Sequence, residues 1–334
     1  MKKSIALITW VLGMLLASCS SVQTISFDQL QAGDISFPDA VRKVAIVNNM
    51  PVIELENTSR GVISPELEGD GKVATEHLAE NVANLNYFDQ VIICDSAFRA
   101  TDTVPRANVI LTQEEVDRLA EELGADMILS FDRLNIQTRP GFILYSDYPM
   151  PVNSVDAVVS PVIRAYIPQR DKPLFTVAKQ DTISWDASDP QLSDKKIVEE
   201  ASEYAAFMPI DHLLPHWNEL TCPYFDGGCV EMRDAGVCLR EDDWDGARDL
   251  WQTVYEKRKG QQQMKAAFNL ALYYEMKDDV AQAKEWLQKA EELVKPDTFN
   301  QQLVAFCRLR LDERESKLLR LRIQMKRFED NFAE

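Results

Sequence analysis

Histidine is nearly absent, with three in 334 residues. That scarcity removes most of the side chains from which zinc sites and Ser-His or Cys-His pairs are built. Cations are short as well, 36 Lys and Arg against 54 Asp and Glu, for a formal charge of −18. Such a surface repels phosphate backbones and anionic headgroups, so nucleic acid is excluded as a partner. No apolar run reaches the ~20 residues of a membrane-spanning helix. A phosphate cradle of the Gly-x4-Gly-Lys-Ser/Thr kind is missing too. The nearest stretch, Gly69-Asp70-Gly71-Lys72, has the wrong spacing and carries Glu68 and Asp70, which repel an anion; it reads as a loop and helix cap. What the chain does have is 46% hydrophobic residues and enough length for two domains, each with its own core.

The N-terminus sets the location. Lys2 and Lys3 are followed by an apolar run from Ile5 to Leu16 and then by Leu16-Ala17-Ser18-Cys19. Leu at −3, small residues at −2 and −1 and then Cys match the lipobox of bacterial lipoprotein signals, in which the thiol is acylated and cleavage leaves Cys19 as the new N-terminus. An ordinary signal peptide with a chance cysteine is the alternative. The lipobox reading removes residues 1–18 and leaves residues 19–38 as anchor and tether, with a first edge strand open there on Val22, Ile25, Phe27 and Leu30. Losing Lys2 and Lys3 takes Lys+Arg from 36 to 34 against 54 acids, so the mature charge is near −20. A chain this acidic is held on a bilayer by the lipid alone, and two or more acyl chains suffice. No acidic cluster follows Cys19, and the expectation is an outer-membrane lipoprotein facing the periplasm.

Of six cysteines, five remain once Cys19 carries lipid. An odd count in an oxidising compartment leaves at least one free thiol. Cys94 and Cys307 read as buried free thiols. Cys222 and Cys229 flank the turn-rich Pro223-Tyr224-Phe225-Asp226-Gly227-Gly228 and are the expected disulfide. A zinc site from Cys222, Cys229 and Cys238 has neither the short spacing nor a following histidine.

Residues 39–220 read as an α/β domain with a mixed sheet. Arg42 to Asn49 is a β-branched run of the buried-strand type, ended by Pro51. Lys72 to Leu85 has helical spacing and feeds a strand at Tyr87–Cys94. Thr112 and Glu115 form a capping box, Val116, Leu119, Ala120 and Leu123 make one helix face, and Gly124 stops the helix before a strand at Ala125–Phe131. Apolar runs at Phe142–Tyr145, Val155–Ile167 and Leu174–Val177 read as antiparallel strands. Asp194 to His212 is helical again, with Ile197, Val198, Ala201, Ala205 and Phe207 toward the core.

Val44-Ala45-Ile46-Val47, then Tyr87-Phe88-Asp89-Gln90-Val91, then Leu123-Gly124-Ala125-Asp126-Met127-Ile128-Leu129 carry a resemblance over residues 42–215. The stretch looks like the envelope α/β domains of the TolB N-terminal and CsgG/LpoB type. It departs from CsgG in lacking long amphipathic hairpins, so a secretion channel is not implied.

From Cys229 the chain turns helical and matches itself at a period of about 36 residues. Ala235, Trp244, Ala247, Trp251 and Val254 align with Ala271, Val280, Ala283, Leu287 and Ala290, followed by Pro296. The pattern resembles the tetratricopeptide repeat (TPR) and gives residues 221–334 a TPR-like fold. Cys238 stands where the first copy should have an aromatic. Two copies are fewer than such arrays need, and Thr298 to Phe328 is expected to supply capping helices. The TPR resemblance places partner contacts on the first helix of each copy, at Arg233, Lys265 and Asn269. The order of lipobox, α/β domain and repeat tail is similar to that of Bacteroidales lipoproteins, a likeness that implies no activity.

The remaining chemistry is sparse. His212 and His216 lie four apart, but Pro215 breaks any helix between them and Leu213 stands where a zincin has Glu. His77, between Glu76 and Glu80, reads as solvated. Trp244, Trp251 and Trp286 fall at or beside repeat-packing positions and read as core rather than a glycan-stacking strip. The chain is thus expected to be no enzyme and to need no cofactor or metal. It reads as a membrane-anchored scaffold that binds an envelope protein or peptide, with homo-oligomerisation open. A hydrolase or glycan-active enzyme using carboxylates of the α/β domain is the alternative.

Overall fold

The computed structural model describes residues 22–51, 63–94, 97–99, 110–144, 150–170 and 172–330. Cys19 and the rest of the lipobox lie outside them. The chain divides into two compact units. Among the described residues, one, the α/β unit, comprises those within 32–216 and 323–330; the other, the helical unit, comprises those within 22–31 and 217–322.

In the α/β unit a seven-stranded sheet has the order β4-β2-β5-β6-β7, with β3 also on β5 and β8 also on β6. The strands are β2 (Lys43–Asn48), β3 (Glu66–Glu68), β4 (Gln90–Cys94), β5 (Met127–Ile143), β6 (Val152–Tyr166), β7 (Phe175–Ala178) and β8 (Asp181–Asp186). β2 runs parallel to β4 and β5, and the other pairings are antiparallel, so the sheet is mixed. Helices α1 (Gly71–Asn84) and α3 (Asp194–Phe207) supply one hydrophobic core, and α2 (Gln113–Leu123) supplies another. β2 shows why its sequence is apolar without alternation. Val44 and Ile46 belong to the first core and Ala45 and Val47 to the second, so each side chain is buried whichever way it points.

Local signals account for the helix ends. Asp70 caps α1 by accepting from the N–H groups of Lys72 (2.9 Å) and Val73 (3.2 Å). Thr112 and Glu115 cap α2 reciprocally, and Gly124 ends it at φ 63°, in the left-handed region. α3 stops at Phe207, and a separate short turn, α4 (Ile210–Leu213), follows Pro209. The continuous helix expected to His212 is therefore broken by a proline.

Two expectations about the strands need correction. β5 and β6 form a long antiparallel hairpin, paired from Ile128↔Tyr166 to Ile143↔Val152. Phe142 and Ile143, expected to open a strand of their own that runs to Tyr145, instead end a 17-residue strand, and Tyr145 lies outside the described residues. The chain does contain a long hairpin, at odds with the departure from CsgG drawn above. A bulge between Phe131 and Arg133 hides it in the sequence. Before the bulge the first core takes Met127, Leu129 and Phe131; after it, Leu134 and Ile136, so the period-two pattern slips by one residue.

The helical unit holds α5 (Val230–Arg240), α6 (Trp244–Lys257), α7 (Gln261–Met276), α8 (Val280–Leu293) and α9 (Phe299–Asp330), with a two-stranded sheet of β1 (Val22–Gln31) and β9 (His216–Phe225). Val22–Gln31 of the expected tether form β1, the edge strand left open there. Phe27 packs edge-on against Trp244 at 5.8 Å, and Val22 and Ile25 also touch the helical core.

The 36-residue period is geometric as well as sequential. Asp242 and Asp278 both sit at φ 59°. Asp243 and Asp279 follow as N-caps with matching backbone angles, bonding the N–H of Gly246 (2.8 Å) and Gln282 (3.1 Å). Their own N–H groups reach back to the carbonyls of Cys238 (2.8 Å) and Tyr274 (2.9 Å). Buried Met232, Ala235 and Leu239 correspond to Phe268, Ala271 and Glu275, and one period further on to Val304, Cys307 and Leu311.

After Leu311 no third turn occurs. α9 continues as one helix, where several capping helices were expected, with a stripe spaced three and four apart through buried Arg314, half-buried Leu318 and buried Leu321. Its residues from Ile323 belong to the α/β unit, not to the helical one. Phe328 packs against Tyr87 at 5.9 Å, and two polar side chains add to it. Gln324 accepts from the Gly33 N–H (3.1 Å) and donates to the carbonyls of Gly33 (2.9 Å) and Ile35 (2.7 Å), and Arg327 donates to those of Val41 (2.6 Å) and Pro38 (2.9 Å). These side chains satisfy buried backbone that has no strand partner.

Candidate functional site

The surface expected to bind a partner does not assemble. Arg233 on α5 is exposed, but Asn269 on α7 is fully buried. Its amide clamps the backbone of Phe225, accepting from the N–H at 2.9 Å and donating to the carbonyl at 2.7 Å. Lys265 holds its ammonium 5.3 Å from the Phe225 ring, and burial lowers its pKa. α7 is the central helix of its unit, and ten of its sixteen residues are buried. A position read as a polar contact is in fact internal.

The expected Cys222–Cys229 disulfide is not formed; both are free thiols. Pro223 to Phe225 continue strand β9, so the chain runs about 10 Å past Cys222 before it can turn. Cys222 points into the helical core, where burial pushes its thiol up to about 12. Cys307 is raised to about 12 for the same reason, and Arg310 donates to its sulfur at 3.3 Å. Cys94, expected to be buried, is half-exposed.

The histidines are dispersed. His212 Nδ1 lies 2.6 Å from Asp34 Oδ2, His216 Nδ1 lies 3.0 Å from the Leu214 carbonyl, and His77 lies 3.8 Å from Glu80. Among the described residues no three His, Cys, Asp or Glu side chains gather as metal ligands. Trp244, Trp251 and Trp286 are buried in the helical core. At the N-terminus of α1 the capping carboxylate of Asp70 already occupies two N–H groups, and a Cβ at Gly71 would come within 2.5 Å of Asn48 Oδ1.

The carboxyl end of β2 and the bulge near the start of β5 carry a buried polar cluster. Asp132 lies at the bulge, 7% exposed. It accepts from the Asn49 amide at 2.8 Å and from Ser130 and Arg164 at shorter range. Burial raises its pKa, and these three donors only partly offset that. Arg99 joins Asn49 (3.0 Å) to Glu115 (3.4 Å). Ligands often bind at such strand ends. Here the carboxylate is engaged by three side chains of the protein itself.

An open site lies instead where β8 meets α3. Two neighbouring cavities of about 360 and 350 Å³ share Tyr204 and Phe207. The first also has Lys179, Asp181 and Asp211, and the second Ile183, Trp185, Glu200 and Glu203. Phe207 was expected to face the core but is 53% exposed, because the buried face of α3 passes through Ala205 and Ala206 and leaves the next residue outside. The Tyr204 hydroxyl donates to Asp181 and the Trp185 indole N–H to Glu200. The hydrogen bond from Tyr204 holds the Asp181 carboxyl below its ordinary range, and the same bond pushes the Tyr204 hydroxyl up to about 12. Sequence reading missed this groove because β8, six polar-rich residues including Thr182 and Ser184, gives no hydrophobic strand signal.

No curated protein matches this chain. Residues 233–311 match the model of a domain of unknown function (DUF6340), which covers most of the helical unit. Residues 41–225 match a second, the domain of unknown function (DUF8603), which spans the sheet and its helices. That match takes in more than half of the sequence, and the chain belongs to the DUF8603 family.

Proposed function

We propose that this protein is a lipid-anchored scaffold of the bacterial cell envelope. It is attached to the outer membrane through Cys19, faces the periplasm, and binds a segment of another envelope protein without turning it over. The α/β unit is read as a relative of the TolB N-terminal and CsgG/LpoB domains and the helical unit as TPR-like. The repeated aspartate turns at Asp242–Asp243 and Asp278–Asp279 support the second likeness. The observation that carries the binding role is the exposed Phe207 between two cavities of the α/β unit, an apolar ring left in water beside hydrogen-bonded carboxylates. The catalytic alternative finds less support, since Asp132, the most buried carboxylate of the polar cluster, is taken up by Asn49, Ser130 and Arg164.

Two experiments test the proposal. Cys19→Ala should release the chain from membranes, and a variant still sedimenting with them in the absence of partners refutes the anchor. A photo-crosslinking phenylalanine in place of Phe207, in the full-length protein in cells, should give a discrete adduct with an envelope protein. The same replacement at Phe306, which is also exposed, serves as the control. No adduct at either position counts against a scaffold.

A further inference from the structure

The groove is bounded by a strand edge. β8 pairs with β6, and among the described residues no strand lies on its other side. The direction of its free groups follows from one bond. Thr182 N–H is taken by the carboxylate of Asp181 at 2.7 Å, so it points away from β6. Backbone groups along a strand alternate in direction, which puts the N–H and carbonyl of Ser184 and Asp186 on the same outer edge. Such an edge is a template for another strand. Asp181 blunts one end of it by capping Thr182.

Side-chain chemistry narrows what could add there. Trp185 contacts Glu200 of α3, so alternate side chains of an added strand would point toward α3 and into the two cavities. Four carboxylates line those cavities, Asp181, Asp211, Glu200 and Glu203, against one cation, Lys179. Phe207 and Tyr204 stand where both cavities meet, and their faces suit the methylene stem and charge of Lys or Arg. Another copy of this chain, at −18, would bring mostly like charge.

We propose that the outer edge of β8 receives an extended segment of a partner protein as an added strand, with lysine or arginine at alternate positions entering the cavities beside Phe207. This rests on the scaffold reading above and names the chemistry of its partner. Main-chain bonds to Ser184 and Asp186 give the affinity, and charge-assisted bonds to the groove carboxylates give the selectivity. The segment is extended because only a strand satisfies the edge. It carries basic residues at every second position because only those face α3.

The test is selection from a random dodecapeptide phage library on the immobilised full-length chain, followed by fluorescence anisotropy of the enriched peptides. Enrichment of peptides with Lys or Arg at alternate positions is expected. Their binding should weaken about tenfold or more in Glu203→Lys/Asp211→Lys, which reverses two exposed charges, and fall with salt. Ser184→Pro, which removes an outward N–H and leaves the ladder to β6, should weaken the same peptides. If that variant misfolds, the charge-reversal pair still decides, since both its sites are exposed. No enrichment, enrichment of acidic or neutral peptides, or equal binding by the charge-reversal variant overturns the inference. The in-cell adduct is read separately: a partner crosslinked at Phe207 whose contact segment lacks basic residues sinks the inference and spares the scaffold.

Discussion

The two units pair their buried polar groups alike and differ in the polar groups they leave open. In the helical unit the buried ones are turned inward and cancelled: Asn269 clamps the Phe225 backbone, and Glu275, 1% exposed, accepts from Nε and one Nη of Arg310 at 2.8 and 2.6 Å. In the α/β unit the sheet is covered where β2 and the first part of β5 run, yet at the β8 edge aromatics and carboxylates face an open groove. Repetition explains the contrast. A stacked array buries its central helix on every side, whereas a sheet ends in a strand with one side unpaired. A helix-face pattern is thus a poor guide to a binding site in a short array, where the middle helix has no free face.

The largest effect should come from breaking the Glu275–Arg310 pair. Glu275→Ala leaves a buried guanidinium without its partner, a loss of about 3–5 kcal/mol. Trp217, Trp244, Trp251 and Trp286 all lie in the helical unit, and Trp185 lies in the other. In urea unfolding, the fluorescence transition should move to lower denaturant, while a variant keeping only Trp185 should report an unchanged α/β transition. If the Trp185 signal moves equally, the division into two stability units fails.

Asn269→Ala separates the structural role of this residue from the binding role that its place in the repeat suggested. It strands the buried N–H and carbonyl of Phe225, at about 1–3 kcal/mol for each group left unpaired. The helical unit should lose stability, and peptide binding at the β8 groove should stay as in wild type. A variant as stable as wild type would restore Asn269 as a surface contact.

Ala283→Leu should cost somewhat less. Ala283 is fully buried on α8, and the extra atoms overpack the contact by about 1–3 kcal/mol. A thermal melt with two transitions, of which only the helical one falls, is the expected outcome.

Much of this architecture could be read from the sequence, and the failures share causes. Strand β2, the capping box at Thr112, the stop at Gly124 and the 36-residue period all rest on local chemistry, and each appears where its residues demand it. Missed features depended on contacts distant in the chain. The polar residues of β8 are a strand only because β6 offers an edge. The Asp132 bulge shifts the alternation that would have shown one hairpin. Gln324 and Arg327 serve backbone almost three hundred residues earlier, at Gly33 to Val41. The groove was invisible for the same reason: Phe207 looked like the end of an apolar helix face, and nothing near it in sequence announces Asp181 or Trp185.

The smallest effect sharpens the comparison most directly, because each unit holds a tyrosine bonded to an aspartate. In the groove Tyr204 donates to Asp181, and that bond is the main cause of its rise to about 12. In the helical unit Tyr273 donates to Asp245 at 2.6 Å, but burial is the larger cause of its rise, and Arg248, 3.3 Å from the hydroxyl, pulls the other way. A raised tyrosine pKa favours the protonated donor. The contribution of each bond is therefore complete below the unfolded value near 10 and fades as pH climbs toward the folded one. Removing the acceptor should let tyrosinate appear at lower pH. With ¹³C-labelled tyrosine, the ring-carbon titration of Tyr204 should fall toward the ordinary value in Asp181→Asn. That of Tyr273 should move less in Asp245→Asn, since burial persists there. Equal shifts would mean that the groove is as enclosed as the helical core, and a β8 edge shielded to that degree could accept no added strand.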